Sequence, residues 1–272
     1  MNSSMITASV SMGSLQQKLD MLADNFANAN TVGYKRKTAV FEDILTSVNN
    51  QLNDFNQPGR KSPLGLVEGW GTRLMSMRTD MTQGALQETG VMTDVAIEGN
   101  GLFEVRTVDG ARAFTRHGPF QLLPDGENER VLVTNTGQRV IGVGDEPVRI
   151  QNGYDLRISE DGTLTAVAAD GIETDALGQL KVVELTNAEL LQTLADNLYG
   201  IPIGVDPNGV VREPADVNAA GIAVRQGFVE QSNVNMADEM SDLMMVQRAY
   251  QLSARALSSS EQMMGLANNL RA

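Results

Sequence analysis

The 272-residue chain has no cysteine and a single histidine, His117. Without cysteine there is no disulfide framework and no thiolate nucleophile. A zinc site would then have to be built from several histidines or converging carboxylates, and no such cluster stands in the sequence. We expect no metal and no cofactor. Basic residues are also scarce: 21 Lys and Arg against 34 Asp and Glu leave a formal charge of -13. Phosphate binding depends on cationic side chains that release counterions, so nucleic acid is excluded as a partner. The basic run Lys35-Arg36-Lys37 is too short to change that and reads as a solvated helix end or loop. No apolar run is long enough to span a membrane, and membrane insertion is not expected. The first residues, MNSSMITASVSMGSLQQKLD, lack a basic segment followed by an unbroken apolar stretch, so no cleaved signal peptide is expected. On these rules alone the location would be cytoplasmic.

Catalytic patterns are equally thin. His117 lies in FTRHGPF, a turn-like segment, and is expected at the surface. No G-x-S-x-G turn accompanies it. Glu98-Gly99-Asn100-Gly101 lacks the second half of a phosphate-cradling loop. Asp206-Pro207-Asn208-Gly209 has too few spaced oxygen donors for a calcium loop. Adjacent acidic pairs such as Glu42-Asp43 and Asp238-Glu239 diverge on a helix and do not face a common substrate. The expectation is a protein that is not an enzyme and has no catalytic residues. The competing reading, a secreted enzyme acting on cell-wall glycan, would need two carboxylates converging in a cleft of the middle region.

What the sequence does contain is periodicity at its two ends. From Met5, steps of three and four reach Ala8, Met12, Leu15, Leu19, Leu22, Phe26 and Ala29, all apolar. Steps of seven from Met236 reach Leu243, Tyr250, Leu257 and Met264, with Met240 and Ala254 at half-steps. Ala249, Ala256, Met263 and Leu270 form an adjacent stripe that widens the second face. This is the spacing of helices that present a narrow seam to another helix. Val40, Phe41, Ile44, Leu45 and Val48 extend helical spacing beyond the first seam.

The middle reads differently. Turn signals GNG, VDG, PDG, NTG, EDG, ADG and PNG separate short apolar segments such as Val95-Ala96-Ile97, Val131-Leu132-Val133 and Leu180-Lys181-Val182-Val183. Strands with turns this close together predict an antiparallel β-rich domain. The expected fold class is α+β: the N- and C-terminal helices form a coiled-coil-like inner element, with a central β-rich, antiparallel domain. The expected divisions are 1–48, an N-terminal helical segment; 49–75, an extended connector marked by Pro58, Gly59, Pro63 and Gly65; 76–230, the β-rich domain; and 231–272, a C-terminal helical segment. A faint echo links QGALQETGVMTD at 83–94 with QGFVEQSNVNMAD at 226–238, as if both entered one structural junction.

A lone helix with an apolar seam is marginal in water. The two seams can serve each other, but the surplus face of the second must meet other chains. Head-to-tail contacts of that kind generate an open filament. The assembly interface expected from the pattern is Met5, Met12, Leu15, Leu19, Leu22 and Phe26 together with Met236, Met240, Leu243, Tyr250, Leu257 and Met264.

The segment LDMLADNFANANTVGYKRKTAVFEDIL resembles the N-terminal signature of flagellar rod and hook proteins, L-x-x-x-A-x-N-x-A-N-x-x-T-x-G-[FY]-[KR]. The matching residues include Asn25, Ala27, Asn28, Thr31, Gly33, Tyr34 and Lys35. The C-terminal EQSNVNMADEMSDLMMVQRAYQLSARALSSSEQMM is similar to the family's second signature through Ser232, Asn233, Val234, Gln247, Arg248, Ala249 and Tyr250. The resemblance implies an axial subunit of the flagellar basal-body rod, most similar to the distal-rod class, with a proximal-rod or hook-type subunit as the alternative. It implies polymerisation into a tube that transmits torque and conducts exported proteins. Copies of the chain, other rod and hook proteins and the flagellar export apparatus are the implied partners, and the basal body replaces the cytoplasm as the implied location. Asn28 and Thr31 are then expected to close the end of the first helix, and Gly33 to terminate it with a positive φ.

Overall fold

The computed structural model describes residues 2–46, 68–126, 128–168, 173–194, 197–214 and 217–269. The chain divides into two compact units: Met1–Ala27, Lys37–Arg78 and Asn235–Ala272 form one, and Asn28–Arg36 with Thr79–Val234 form the other.

The first unit contains two long helices, α1 (Asn2–Ala27) and α2 (Met236–Asn269), and a two-stranded sheet of Lys37–Thr46 with Glu68–Thr79. The predicted helical spacing over residues 40–48 is corrected here: Lys37–Thr46 is a strand. Thr38, Val40, Phe41, Ile44 and Thr46 are β-branched or aromatic residues that favour a pleated surface, and the partner strand is Glu68–Thr79. Part of the expected connector, from Glu68 onward, is that partner. Val48 and the Pro/Gly positions 58–65 lie outside the described residues. The sheet lies on α1: the ring of Phe41 sits under the Lys18 ammonium, 5.6 Å away, and Ser14 Oγ is 3.1 Å from Thr72 Oγ1. Helix–helix packing centres on Met21, Leu22 and Val246, with Leu15, Leu19, Ala39 and Leu243 around them.

The second unit is antiparallel β throughout its paired strands, as the turn spacing predicts. Among the described residues, its largest sheet has ten strands, and a three-stranded sheet and two strand pairs complete it. The central strand Gly101–Arg106 explains the core. Its alternate residues point to opposite faces: Phe103 and Val105 enter one cluster with Val95, Ile97, Phe120, Leu132, Leu164 and Val224, while Leu102 enters a second with Phe114, Val183, Tyr199 and Val211. Phe103 and Phe120 meet edge to face, with ring centroids 5.2 Å apart. Burying each such side chain contributes roughly 1.5–3 kcal/mol. Residues 186–193 contain a 3₁₀ turn, Ala188–Leu190, capped by Asn187, followed by the short strand Gln192–Thr193.

The echoed segments pair with each other. Leu86–Glu88 runs antiparallel to Phe228–Glu230, with Leu86 opposite Glu230, and Gln231 N donates to Ala85 O.

Candidate assembly interface and its supporting residues

The seam residues divide into two groups in the first unit. Leu22 is buried, and Met5, Met12, Leu15 and Leu19 are half-buried; Leu243, Tyr250 and Leu257 are likewise half-buried. Leu15, Leu19, Leu22 and Leu243 meet in the helix–helix cluster. Phe26, Met236, Met240 and Met264 are exposed. The seam thus first serves the chain's own helix pair, and a charge introduced at Leu243 would break that pairing as well as any outside contact.

A second face of α2 receives no such cover. Met244, Met245, Leu252, Met263 and Leu266 are 50–65% exposed, and Ala256 is exposed between them. At 100° per residue, Met245, Leu252, Ala256, Met263 and Leu266 fall within one sector, turned well away from Val246, Leu243 and Tyr250. Ser241, Met244, Met245, Arg248, Ala249 and Leu252 line a shallow apolar depression on it. With 34 residues against 26, α2 is longer than α1 by about 12 Å at the usual rise, and Glu261–Leu266 are exposed throughout. Arg248 and Ala249, both signature positions, lie at this depression; Gln247 is exposed beside them.

At the end of α1, Asn25 is fully buried. Its side-chain amide mimics a neighbouring strand, accepting from Lys37 N at 2.9 Å and donating to Lys37 O at 2.8 Å. The same amide donates to Glu239 Oε2 at 3.2 Å, in the first turn of α2. One asparagine therefore joins the last turn of α1, the first residue of the sheet and the start of α2. Lys37 Nζ adds an ion pair to Asp24 at 2.6 Å. Ala27 is exposed and closes α1.

The remaining signature residues belong to the second unit. Thr31 N and Oγ1 both donate to Asn28, to its carbonyl and its side-chain oxygen respectively, at 3.1 Å each. Gly33 has a φ of +69°, and a Cβ there would stand 2.8 Å from His117 Cα. Because α1 has already ended at Ala27, this glycine shapes the following turn and does not terminate the helix. Tyr34 is buried. Asn233 accepts from Arg36 N at 2.7 Å and donates to Asp80 O and Thr82 O, while Ser232 Oγ accepts from Val234 N. Val234 is half-buried.

Lys35 is the largest departure from expectation. The run Lys35-Arg36-Lys37 reads as solvated, yet Lys35 is buried. Its ammonium lies 2.7 Å from Glu230 Oε1 and donates to Thr82 O at 2.6 Å. Arg116 Nε donates to Glu230 Oε2 at 2.6 Å, and the three side chains are 1–2% exposed. Gly84 N also donates to Glu230 Oε1, and Gly33 N to the Glu230 carbonyl. The rest of the Arg116 guanidinium serves the carbonyls of Gly101, Gly99 and Ile97. Burial holds the Lys35 ammonium below the usual lysine range, Arg116 pushes the same way, and Glu230 works against both. Such a cluster adds little net stability, but removing its anion costs about 3–5 kcal/mol. Arg116, Glu230 and Glu239 fall within motifs visible in the sequence, although nothing there marks Glu230 as the partner of Lys35 and Arg116; Thr82 carried no signal. His117 is half-buried, not a surface residue.

Comparison with known proteins matches the chain to a family. Residues 7–35 match the family described as "Flagella basal body rod protein", 96–171 the "Flagellar hook protein FlgE/F/G D1 domain" and 225–270 the "Flagellar basal body rod FlgEFG protein C-terminal". The flagellar basal-body rod protein FlgG of Borreliella burgdorferi is 33% identical over 97% of both chains. The protein of that name from Buchnera aphidicola of Acyrthosiphon pisum is 35% identical over 92% of both. The flagellar hook-basal body complex protein FlhP of Bacillus subtilis is 33% identical over 98% of this chain and 99% of its own.

The chain belongs to the flagellar basal-body rod protein family.

It is a structural subunit of the flagellar basal body and not an enzyme. Membership implies assembly with other flagellar rod and hook proteins. The matched terminal segments coincide with the helices and with the residues that anchor their inner ends, so the signatures record packing and backbone pairing instead of chemistry.

Proposed function

We propose that this rod subunit polymerises through α1 and α2 into the tube that transmits torque and through which flagellar proteins are exported. The observation that carries this reading is the uncovered face of α2: five Met and Leu side chains stand in water on a helix whose opposite side is already occupied. Contiguous exposed apolar surface of this kind marks a protein interface. A heterologous contact at that face, repeated, gives an open helical filament. The α1–α2 pair would act as a coiled-coil-like inner element, with Met5, Met12, Phe26, Met236, Met240 and Met264 completing the seam against neighbouring subunits. Relatives named FlgG favour the distal-rod class. Delivery to the basal body through the flagellar export apparatus, without a cleaved leader, belongs to the same proposal; N-terminal sequencing of the assembled subunit tests it.

Leu252→Asp is the direct test. A charge in a desolvated interface is costly, whereas an exposed substitution shifts monomer stability by only about 0.5 kcal/mol. The expected result is an unchanged circular-dichroism melt of the purified chain, with basal bodies that lack the subunit and cells that do not swim. Normal motility would remove the face from the interface.

A further inference from the structure

We infer that Glu230 is the positioning residue for the N-terminal signature, admitting residues 28–36 to the central unit only after the chain has been delivered through position 230. The consequence for assembly rests on the rod-subunit reading above; the docking step does not. Lys35 lies 195 positions before Glu230, and Arg116 lies 114 before it. Within the closed unit, the two cations lie on the two oxygens of one carboxylate, with all three side chains at 1–2% exposure.

A chain that has emerged only as far as Val229 holds both cations and lacks the anion. Closing on it would bury two like charges side by side, a state that a low-dielectric site strongly disfavours. Lys35 stays in water and the loop stays undocked. Arrival of Glu230 supplies the carboxylate for Lys35 and Arg116, an acceptor for Gly84 N and the carbonyl for Gly33 N. Asn233 follows three residues later and fixes Arg36 N. The device ties the segment contiguous with the end of α1 to a residue next to the start of α2. A half-delivered chain therefore lacks a fixed N-terminal segment with which to join a growing polymer.

Charge balance separates this from ordinary packing. Glu230→Gln keeps the shape and removes the anion, so amide exchange at Gly33 and Tyr34 in dilute full-length monomer should accelerate at least about tenfold. Lys35→Met removes one of the two buried cations and leaves Glu230 paired with Arg116, so that exchange should stay within about threefold of the parent. Lys35→Met combined with Glu230→Gln should be better protected than Glu230→Gln alone, and should fold even where the single variant does not. In cells, Glu230→Gln should be missing from basal bodies and the double variant present. Three outcomes each overturn the proposal: parental protection in Glu230→Gln, a double variant no better protected than Glu230→Gln, or Glu230→Gln incorporated like the parent. The exchange readout needs no assembly, so its failure is distinct from a failure of the α2 interface.

Discussion

In the central unit, strand Gly101–Arg106 buries residues on both of its faces, and two apolar clusters form around it. In the helical unit the buried apolar residues among those described are Met21, Leu22 and Val246, yet the two helices together are 60 residues long. The central unit is closed by its own sheets. The helical unit uses one side of each helix and leaves the other side of α2 in water. Their polar residues differ in the same sense. The central unit encloses a complete ion cluster, whereas the helical unit uses an asparagine to splice three chain segments. One region covers its apolar faces with its own strands; the other leaves an apolar face of α2 uncovered.

The largest way to break that contrast is in the central core. Phe103→Ala removes an aromatic side chain from a fully buried edge-to-face pair. Chemical denaturation should register a loss of about 3–5 kcal/mol in the β transition. Leu22→Ala should cost the helical unit about 2–5 kcal/mol. Because that unit has so little core, helical ellipticity should fall at temperatures where the β signal persists; one common, unshifted transition would abolish the distinction between the units. Asn25→Ala leaves Lys37 N and O without their side-chain partner and should cost about 1–3 kcal/mol. Amide exchange at Lys37 reports it, and an unchanged rate would dismiss the strand-mimic role. The smallest effect is electrostatic. Burial holds His117 below its ordinary range against the pull of Asp94, so the unfolded chain binds the extra proton first. Stability should therefore be fully present above about pH 6.5 and decline as pH falls below it. The slope should flatten in His117→Gln, and an identical slope in that variant would assign the pH dependence elsewhere.

Much of this was legible in residue order. The seam from Met5 to Phe26 and the one from Met236 to Met264 delimit α1 and α2 because a helix repeats its neighbours every three or four positions, and that repeat is local. The turn signals mark the central strands for the same reason. The helical spacing over 40–48 misled because the strand there pairs with Glu68–Thr79, and partners across a connector leave no periodic trace. The echo between 83–94 and 226–238 was visible as similarity, but only the sheet makes it a pair, Leu86 against Glu230.

Sequence alone determined which ends of the chain are helical, which stretch is β-rich and that an apolar face on α2 exceeds what one partner helix needs, since periodicity and composition are properties of neighbouring residues. Only the tertiary structure decided that Lys35 is buried and that Asn25 stands in for a strand. Whether a charge or an amide finds its counterpart depends on residues brought together from across the fold, and chain order carries no measure of that distance.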